Sequence, residues 1–306
     1  MRRSAQILTV ALMQRFLCRF CTALVLPALL AQVTTGQNPA SQTAEAPFLV
    51  PKTASGVTVD AVLDEEAWQG ALVIELNYEV RPGENVTPPV STEVLLTYDE
   101  DNLYAAFRCY DPKPSAVRAH LRDRDTLGGD DWVALILDTF NDQRRSFDFI
   151  VTAAGVQFDQ IEAQSGEDPG WDAIWASASR ITSWGYAVEI SIPFSSLRFQ
   201  RIDGPQVWGF DAVRRYPRDH AYHIGTFPRD RSNNCYMCQS IKIQGFEDAH
   251  PGRNIEVDPT FTAFRKDSRP DFPEGELEKE EQQGEVGITA SWGICLLYTS
   301  DAADER

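Results

Sequence analysis

The residues best suited to chemistry are two tryptophans and two carboxylates near the middle of the chain. Trp171 and Trp175 bracket Asp172, and Glu167 lies just upstream in the acidic, glycine-containing segment 165–170. Flat indole rings stack on the C–H faces of sugars, and carboxylates accept hydrogen bonds from sugar hydroxyls. These four residues are therefore our candidate site for a polysaccharide or oligosaccharide. A place in the hydrophobic core is the alternative for both tryptophans.

A second acidic group lies on a loop that could hold a metal ion. Asp123, Asp125, Asp130 and Asp131 flank the pair 128–129, which is Gly-Gly. Hard carboxylate oxygens on a glycine-containing loop suit calcium, the one cofactor that the sequence suggests. The spacing does not match an EF-hand loop, so an acidic loop exposed to solvent is the alternative.

Cys235 and Cys238 stand three positions apart. In an oxidising compartment such a pair can close a short disulfide, which is our prediction. A zinc site is the alternative, with His220, His223 and His250 as the nearby ligands, and free thiols are the third possibility.

A catalytic interpretation would rest on paired carboxylates. Glu162 with Asp159, or with Glu189, offers such a pair, because a glycosidase needs two carboxyl groups across a cleft. Glu189 alternates with core positions in its strand, which favours a hydrogen-bonded structural role. The sequence contains no nucleophile elbow, phosphate loop or metalloprotease motif. We therefore predict a binding protein; an enzyme of this kind would be a hydrolase acting on O-glycosyl bonds.

One basic cluster stands out in this acidic chain, and it consists of Arg214, Arg215, Arg218, Arg229 and Arg231. Pairing with acidic neighbours is the favoured interpretation. Docking onto a partner or a lipid head group is the alternative.

Short apolar segments, several of them alternating, recur between turn signals. They predict strands at 57–59, 72–80, 92–98, 103–110, 132–137, 147–152, 175–181, 187–192 and 207–213. This spacing is typical of an all-β protein, and we predict an antiparallel β-sandwich over 49–250. Cys109 and the indoles of Trp132, Trp184 and Trp208 lie in these patterns and are predicted to be buried in the core. Trp68 is predicted to close the bottom of the sandwich.

The pattern changes after His250. Segments 254–264 and 285–294 alternate, and an acidic polar loop at 271–284 joins them. Two alternating segments of about ten residues match the start of a membrane β-barrel, while a soluble hairpin is the alternative. We interpret 251–294 as a truncated barrel start that lacks its strand partners.

Charge and the two ends of the chain indicate the compartment. The net charge is −17, which argues against nucleic acid and anionic lipid surfaces as partners. Residues 1–36 combine early arginines, a short apolar run and small residues, as a secretory signal peptide does. Residues 37–48 form a polar, flexible lead-in. An exported protein of the periplasm, outer membrane or extracellular space is expected.

The final segment, 295–306, resembles a translated transposon adapter from DNA library preparation. It interrupts the alternating pattern of the preceding strand. We interpret the gene as truncated near Ile294, and a natural acidic terminus is the alternative.

Several motifs together resemble the family 9 carbohydrate-binding modules. In order, they are Val59-Asp-Ala-Val-Leu-Asp64 with Ala67-Trp68, Tyr98-Asp-Glu-Asp-Asn-Leu-Tyr104, Asp130-Asp-Trp-Val-Ala-Leu-Ile-Leu-Asp138, Trp184-Gly-Tyr-Ala-Val-Glu189 and Ile192-Pro193. The likeness covers about 49–247. Segments 208–215 and 252–255 are similar to a combination in which such a module precedes a barrel-like domain of unknown function in exported bacterial proteins.

The resemblance implies a β-sandwich that binds carbohydrate without cutting it, at the cell envelope and in association with polysaccharide breakdown. The missing C-terminal barrel would supply an outer-membrane association. Two alternatives stay open: a periplasmic structural or partner domain that binds no sugar, and a part of a glycoside hydrolase.

Overall fold

The computed structural model describes residues 46–292, apart from 203, 253, 254 and 272. The predicted signal peptide, most of the lead-in and the tail 295–306 lie outside the described residues. The described part contains one four-residue α-helix, α1 (Glu66–Gln69), and strands with the following bounds: β1 (Phe48–Leu49), β2 (Leu72–Glu75), β3 (Tyr78–Arg81), β4 (Thr92–Tyr98), β5 (Asn102–Tyr110), β6 (Trp132–Asp138), β7 (Arg145–Thr152), β8 (Gln157–Ala163), β9 (Gly166–Asp168), β10 (Ala176–Thr182), β11 (Gly185–Pro193), β12 (Gln206–Pro217), β13 (Ala221–Gly225), β14 (Ile241–Gly245), β15 (Ile255–Ser268) and β16 (Glu278–Trp292). None of the described helices has the length and apolarity needed to cross a membrane.

Two sheets form the sandwich. The larger has nine strands in the order β1-β14-β12-β6-β7-β8-β9, with β13 joining β12 to β3. The smaller has five strands in the order β10-β11-β5-β4-β2. Every ladder is antiparallel except the one between β1 and β14. The predicted all-β sandwich is confirmed.

The core lies between the facing sides of these sheets. Because side chains alternate across a strand, every second residue of β6 and β7 points inward, as Val133, Leu135 and Phe149 do. Phe107 and Val188 face them from the five-stranded sheet. Burial of this apolar surface is the main stabilising contribution to the fold.

The opposite faces of both sheets are partly covered as well. On the nine-stranded sheet a second apolar cluster joins Ala134, Ile136 and Ile150 to Met237. β6 is therefore apolar on both faces, which explains its nearly continuous apolar sequence.

Most of the predicted strands are present, with two notable differences. The segment 72–80 divides into β2 and β3, and the predicted strand 57–59 is wrong. Within the segment 57–59, the backbone N–H of Thr58 donates to Glu65 Oε1 at 3.1 Å. Directly after it, Glu189 on β11, a fully buried carboxylate, accepts hydrogen bonds from the backbone N–H groups of Asp60 (2.8 Å) and Ala61 (2.7 Å). These backbone N–H groups donate to carboxylates instead of to the carbonyl groups of a neighbouring strand.

Trp68 completes the same contact. Its Nε1 donates to the other oxygen of Glu189 at 2.9 Å, and its ring packs with Leu95 and Tyr104 on the outer face of the five-stranded sheet. Burial raises the pKa of Glu189, while the three hydrogen bonds oppose that rise. The hydrogen-bonded structural role predicted for Glu189 is confirmed.

The C-terminal segment forms a hairpin of β15 and β16. Among the described residues these strands pair only with each other, and the connecting loop is shorter than the predicted 271–284 because β16 already begins at Glu278. Phe261 and Val286 are register partners with exposed side chains. Continuation of this hairpin into a barrel stays a prediction.

Candidate functional site

The structure does not gather the four predicted sugar-binding residues. Trp175 is buried in the core with 8% of its surface exposed, and its ring lies 5.2 Å from that of Phe149. Trp171 is half-buried, 5.0 Å from the ring of Phe147. Trp175 therefore occupies the core position that the sequence left as the alternative, because loop 169–175 folds inward over β7. A sugar contact by Trp171 or Trp175 stays a prediction.

The two predicted carboxylates lie apart. Asp172 is exposed and pairs with Arg124, whose Nε lies 3.6 Å from its carboxylate. Glu167 is exposed on β9 and lines a separate cleft, described below. A sugar contact by Glu167 or Asp172 stays a prediction.

The predicted calcium ligands do not converge either. Asp130 is buried and accepts from the backbone N–H of His120 at 3.1 Å and from its Nδ1 at 2.6 Å. Asp131 is buried and pairs with Arg218 at 2.9 Å. Both buried carboxylates therefore already have cationic or N–H partners.

The carboxylates that do approach one another are Asp125, Asp159 and Asp172, whose oxygens lie within 4.8 Å. The guanidinium of Arg124 pairs with all three. This arginine supplies positive charge where a metal ion would. A calcium ion on this loop stays a prediction from the sequence.

The predicted disulfide is present. The structure joins Cys235 to Cys238, with their Cα atoms 5.4 Å apart. The bond closes a tight loop around the short helical turn Met237–Gln239. Cys109 is a buried free thiol, as predicted, and burial raises its pKa to about 11.

A cleft of about 520 Å³ lies on the outer face of the nine-stranded sheet. Its floor consists of alternate residues of β6, β7 and β12, namely Ala134, Ile136, Ile150 and Val213. Residues 229–239, which include the disulfide, form one wall. The volume falls in the usual range of small-molecule sites.

Trp132 lies at one end of the apolar floor. It begins β6 and is half-buried, with its indole beside the imidazole of His223 at 5.6 Å and nearly perpendicular to it. The prediction that this tryptophan belongs to the main core is wrong. Trp184, also predicted to be core, is 36% exposed beside Tyr110.

Polar side chains lie in one register row across the floor. Asp211, Asp148 and Gln160 belong to this row, in which the apolar Ile136 separates Asp211 from Asp148. Next to it, Glu162 on β8 stands opposite Glu167 on β9. Opposed positions share a face, so these groups point into one space.

Asp148 is the most perturbed acid of the cleft. It is 2% exposed, and its oxygens accept from Ser146 Oγ at 2.7 Å and Gln160 Nε2 at 3.0 Å. Burial raises its pKa to about 7, and the negative charges of Glu162 and Glu167 act in the same direction. A carboxyl group with this pKa can both donate and accept hydrogen bonds near neutral pH.

Glu162 is a half-buried carboxylate in the same space. Burial raises its pKa, and the charge of Glu167 raises it further. No hydrogen-bond donor among the described residues contacts its carboxylate. Its acceptor capacity is therefore available to a ligand.

The wall contributes an aromatic ring held at several points. The hydroxyl of Tyr236 donates to Asp211 and accepts from Arg229 Nη2 at 2.9 Å. The guanidinium of Arg229 also lies 4.3 Å from the centre of the Tyr236 ring. Burial and the charge of Asp211 raise the pKa of Tyr236 well above its ordinary value. The ring orientation is thus fixed before any ligand arrives.

The predicted pairing of the basic cluster is confirmed for two of its members. Arg218 pairs with Asp111 and Asp131, and Arg229 pairs with Asp211. Arg214 is fully buried and donates to Thr92 Oγ1 at 2.9 Å and to backbone carbonyl groups. Arg215 and Arg231 bond to backbone carbonyl groups instead of carboxylates.

The sequence signal for the cleft was the apolar character of β6 on both faces. Only one face of β6 can meet the other sheet, so its second face required a cover. That cover, residues 229–239, lies about a hundred residues downstream, and nothing local to β6 identifies it. The cleft combines aromatic surface, carboxylates, an amide and guanidiniums, which together suit a ligand with many hydroxyl groups.

Comparison with known proteins gives one family match and several solved structures. Residues 59–220, more than half of the chain, match the family described as Carbohydrate family 9 binding domain-like. No curated protein matches the chain.

Three solved structures are similar to this chain. A family 9 carbohydrate-binding module from Caldicellulosiruptor kristjanssonii in complex with cellotriose is 18% identical, with a TM-score of 0.46 over 65% of this chain and 92% of that one. The complex of a module from the same organism with glucose is 17% identical, with a TM-score of 0.46 over 64% and 94%. A candidate carbohydrate-binding protein from Bacteroides uniformis is 12% identical, with a TM-score of 0.48 over 65% and 97%.

Proposed function

The chain belongs to the family described as Carbohydrate family 9 binding domain-like, and from that premise we propose that it binds an oligosaccharide in the cleft on its nine-stranded sheet, without cleaving it. The observation that carries the proposal is the cleft itself. It brings Trp132 and Tyr236 together with Glu162, whose carboxylate has no donor among the described residues.

The division of work within the cleft follows from these side chains. The indole of Trp132 offers apolar surface to the C–H face of a sugar ring. Glu162 and Gln160 accept hydrogen bonds from hydroxyl groups, and the Gln160 amide is already oriented by Asp148. Since Tyr236 is held by Asp211 and Arg229, binding costs little ordering of this wall.

A binding role agrees better with these groups than hydrolysis does. Asp148 is buried below the floor and bonded to Ser146 and Gln160, so it has no free path to a glycosidic oxygen. Asp159, the partner suggested for Glu162 by the sequence, points into the other face of β8 and pairs with Arg124. The two suggested carboxylates therefore do not share a cleft.

The test is a glycan array probed with the full chain, with Trp132→Ala and with Trp184→Ala. Trp184 is an exposed tryptophan in the turn between β10 and β11, outside the cleft, and serves as the matched control. We expect oligosaccharide binding by the wild type and by Trp184→Ala, and a loss of at least about tenfold for Trp132→Ala, equal to about 1.4 kcal/mol. Equal binding by both variants would show that the cleft is not the sugar-binding site.

We further propose that the protein acts at the bacterial cell envelope, in association with polysaccharide breakdown. The signal-like sequence of residues 1–36 and the Cys235–Cys238 disulfide, which needs an oxidising compartment, support this location. Fractionation of cells that express the full gene, with mass spectrometry of the mature N-terminus, tests it. An uncleaved protein in the cytosol would contradict it.

A further inference from the structure

The cleft has two electrically different ends. At one end, a register row crosses four strands, from Arg81 on β3 through His223 and Arg215 to Trp132. At the other end, Glu162 on β8 faces Glu167 on β9. Strands lie about 4.8 Å apart, so β13 and β8 are separated by about 19 Å of sheet.

The guanidiniums of the first end are not neutralised. The ion pairs among the described residues use other arginines, such as Arg108, Arg218 and Arg229, and none includes Arg81 or Arg215. Arg215 Nη1 donates to the carbonyl group of Asp130 at 2.7 Å, which fixes the side chain and leaves its charge uncompensated.

His223 reports the positive potential at this end. Its pKa is lowered to about 4, by burial first and then by the charges of Arg81, Arg215 and Arg229. The imidazole is therefore neutral at pH 7, and the positive charge of the row belongs to its two guanidiniums. The chain as a whole has a net charge of −17, so this end of the cleft is a local positive region that can attract an anion.

We propose that the cleft selects acidic oligosaccharides, and that it holds a uronic acid residue with the sugar ring on Trp132 and the sugar carboxylate at Arg81, while the neighbouring charge of Arg215 adds to the positive potential there. This inference rests on the proposed function and names the ligand class of the same cleft. A guanidinium matches a carboxylate with two parallel N–H donors, and Trp132 is the register neighbour of Arg215.

The acidic end sets the direction of the ligand. Glu162 and Glu167 repel a sugar carboxylate and accept hydrogen bonds from sugar hydroxyls, so the acidic group is directed to the arginine end. A ligand that contacts both ends must cross several strands. An oligosaccharide therefore fits the cleft better than a single sugar.

The test compares three neutral trisaccharides with their uronic acid counterparts. The β-1,4-linked trimers of glucose and mannose and the α-1,4-linked trimer of galactose are titrated into the full chain by calorimetry, each beside the trimer oxidised to the carboxylate at C6. We expect at least one uronic trimer to bind about tenfold more tightly than its neutral counterpart at low salt, with the difference falling as salt is raised.

Two variants assign the effect to the cleft. Arg81→Gln removes one exposed guanidinium of the row, and Arg180→Gln removes an exposed guanidinium on β10, outside the cleft. We expect Arg81→Gln to abolish the preference for the uronic trimer over its neutral counterpart, and Arg180→Gln to bind both trimers as the wild type does.

The outcomes separate this inference from the proposed function. A neutral trimer that binds in a Trp132-dependent way, with no gain from its carboxylates, would overturn the inference and leave carbohydrate binding standing. A uronic preference that survives in Arg81→Gln would also overturn it. Failure of all six trimers to bind a chain that binds another, neutral glycan on the array would overturn the inference alone. Failure of the trimers and of the whole array would overturn both.

Discussion

The two faces of the nine-stranded sheet use the same strands for different purposes. On β6, Val133, Leu135 and Leu137 point into the sandwich and are fully buried. The residues that alternate with them, Trp132, Ala134 and Ile136, point the other way into the cleft. The inner face is uniformly apolar here and closed by a second sheet, whereas the outer face is apolar only along its floor and is bordered by charged groups.

Side chains alternate between the two faces of a strand, so neighbouring residues of β6 contribute either to the stability of the sandwich or to the cleft. A substitution on the inner face changes the packing of the sandwich, and a substitution at the next residue changes the surface of the cleft.

The largest effect is expected on the inner face. Trp208 is fully buried and stacks on Phe246 with ring centres 4.2 Å apart. Trp208→Ala removes this packing and leaves a cavity, so we expect the free energy of unfolding to fall by about 3–5 kcal/mol. Trp132→Ala, on the outer face, should cost about 1 kcal/mol because its ring is half solvated. Urea denaturation followed by circular dichroism measures both, and similar losses would contradict the separation.

The next effect concerns Asp148 under the cleft floor. Its pKa is about 7 in the folded protein, against an ordinary value near 3.8. Between these values the folded state binds more protons than the unfolded state, so the free energy of unfolding falls as pH rises from about 4 to 7 and stays low above 7. We expect Asp148→Asn to be more stable than wild type at pH 8, by about 2–4 kcal/mol, and to lose most of this pH dependence.

Thermal unfolding at pH 5 and pH 8 checks the prediction. The control is Asp219→Asn, which changes a surface carboxylate outside the cleft. A variant at position 148 that is less stable than wild type at pH 8 would show that its charge, once formed, is stabilised by groups that this account omits.

The smallest effect is expected from a chelator. Two of the four predicted calcium ligands, Asp130 and Asp131, are already paired with His120 and Arg218. We therefore expect EDTA to leave the melting temperature unchanged. A lower melting temperature that calcium restores would support the sequence-based prediction of a structural calcium ion instead.

The strands could be predicted because their signal is local. Thr92–Tyr98 alternates, and the structure gives β4 the same bounds. The segment 57–59 also alternates, yet it forms no strand. The backbone N–H of Thr58 donates to Glu65 Oε1, and Glu189, far downstream, accepts from the adjacent N–H groups of Asp60 and Ala61. Local alternation cannot reveal a competing partner that is distant in sequence.

The candidate site was harder to predict for the same reason. Trp171 and Trp175 have the right type and spacing for stacking on a sugar. However, loop 169–175 folds inward, so the indoles pack on Phe147 and Phe149. The sequence around Trp132 is that of an ordinary strand. The cleft that Trp132 lines is completed by a wall formed by residues 229–239, which the sequence near Trp132 does not indicate. Residue type suggested stacking on sugars, while burial, set by distant segments, determined how much of each indole is exposed.

Sugar binding on Trp132 is tested by calorimetric titration of an array-selected oligosaccharide into Trp132→Ala and Trp171→Ala, prepared in the full chain and shown to be folded by circular dichroism. We expect at least about tenfold weaker binding for Trp132→Ala and unchanged affinity for Trp171→Ala. Wild-type affinity in Trp132→Ala together with a loss in Trp171→Ala would place the site on loop 169–175 and contradict the account.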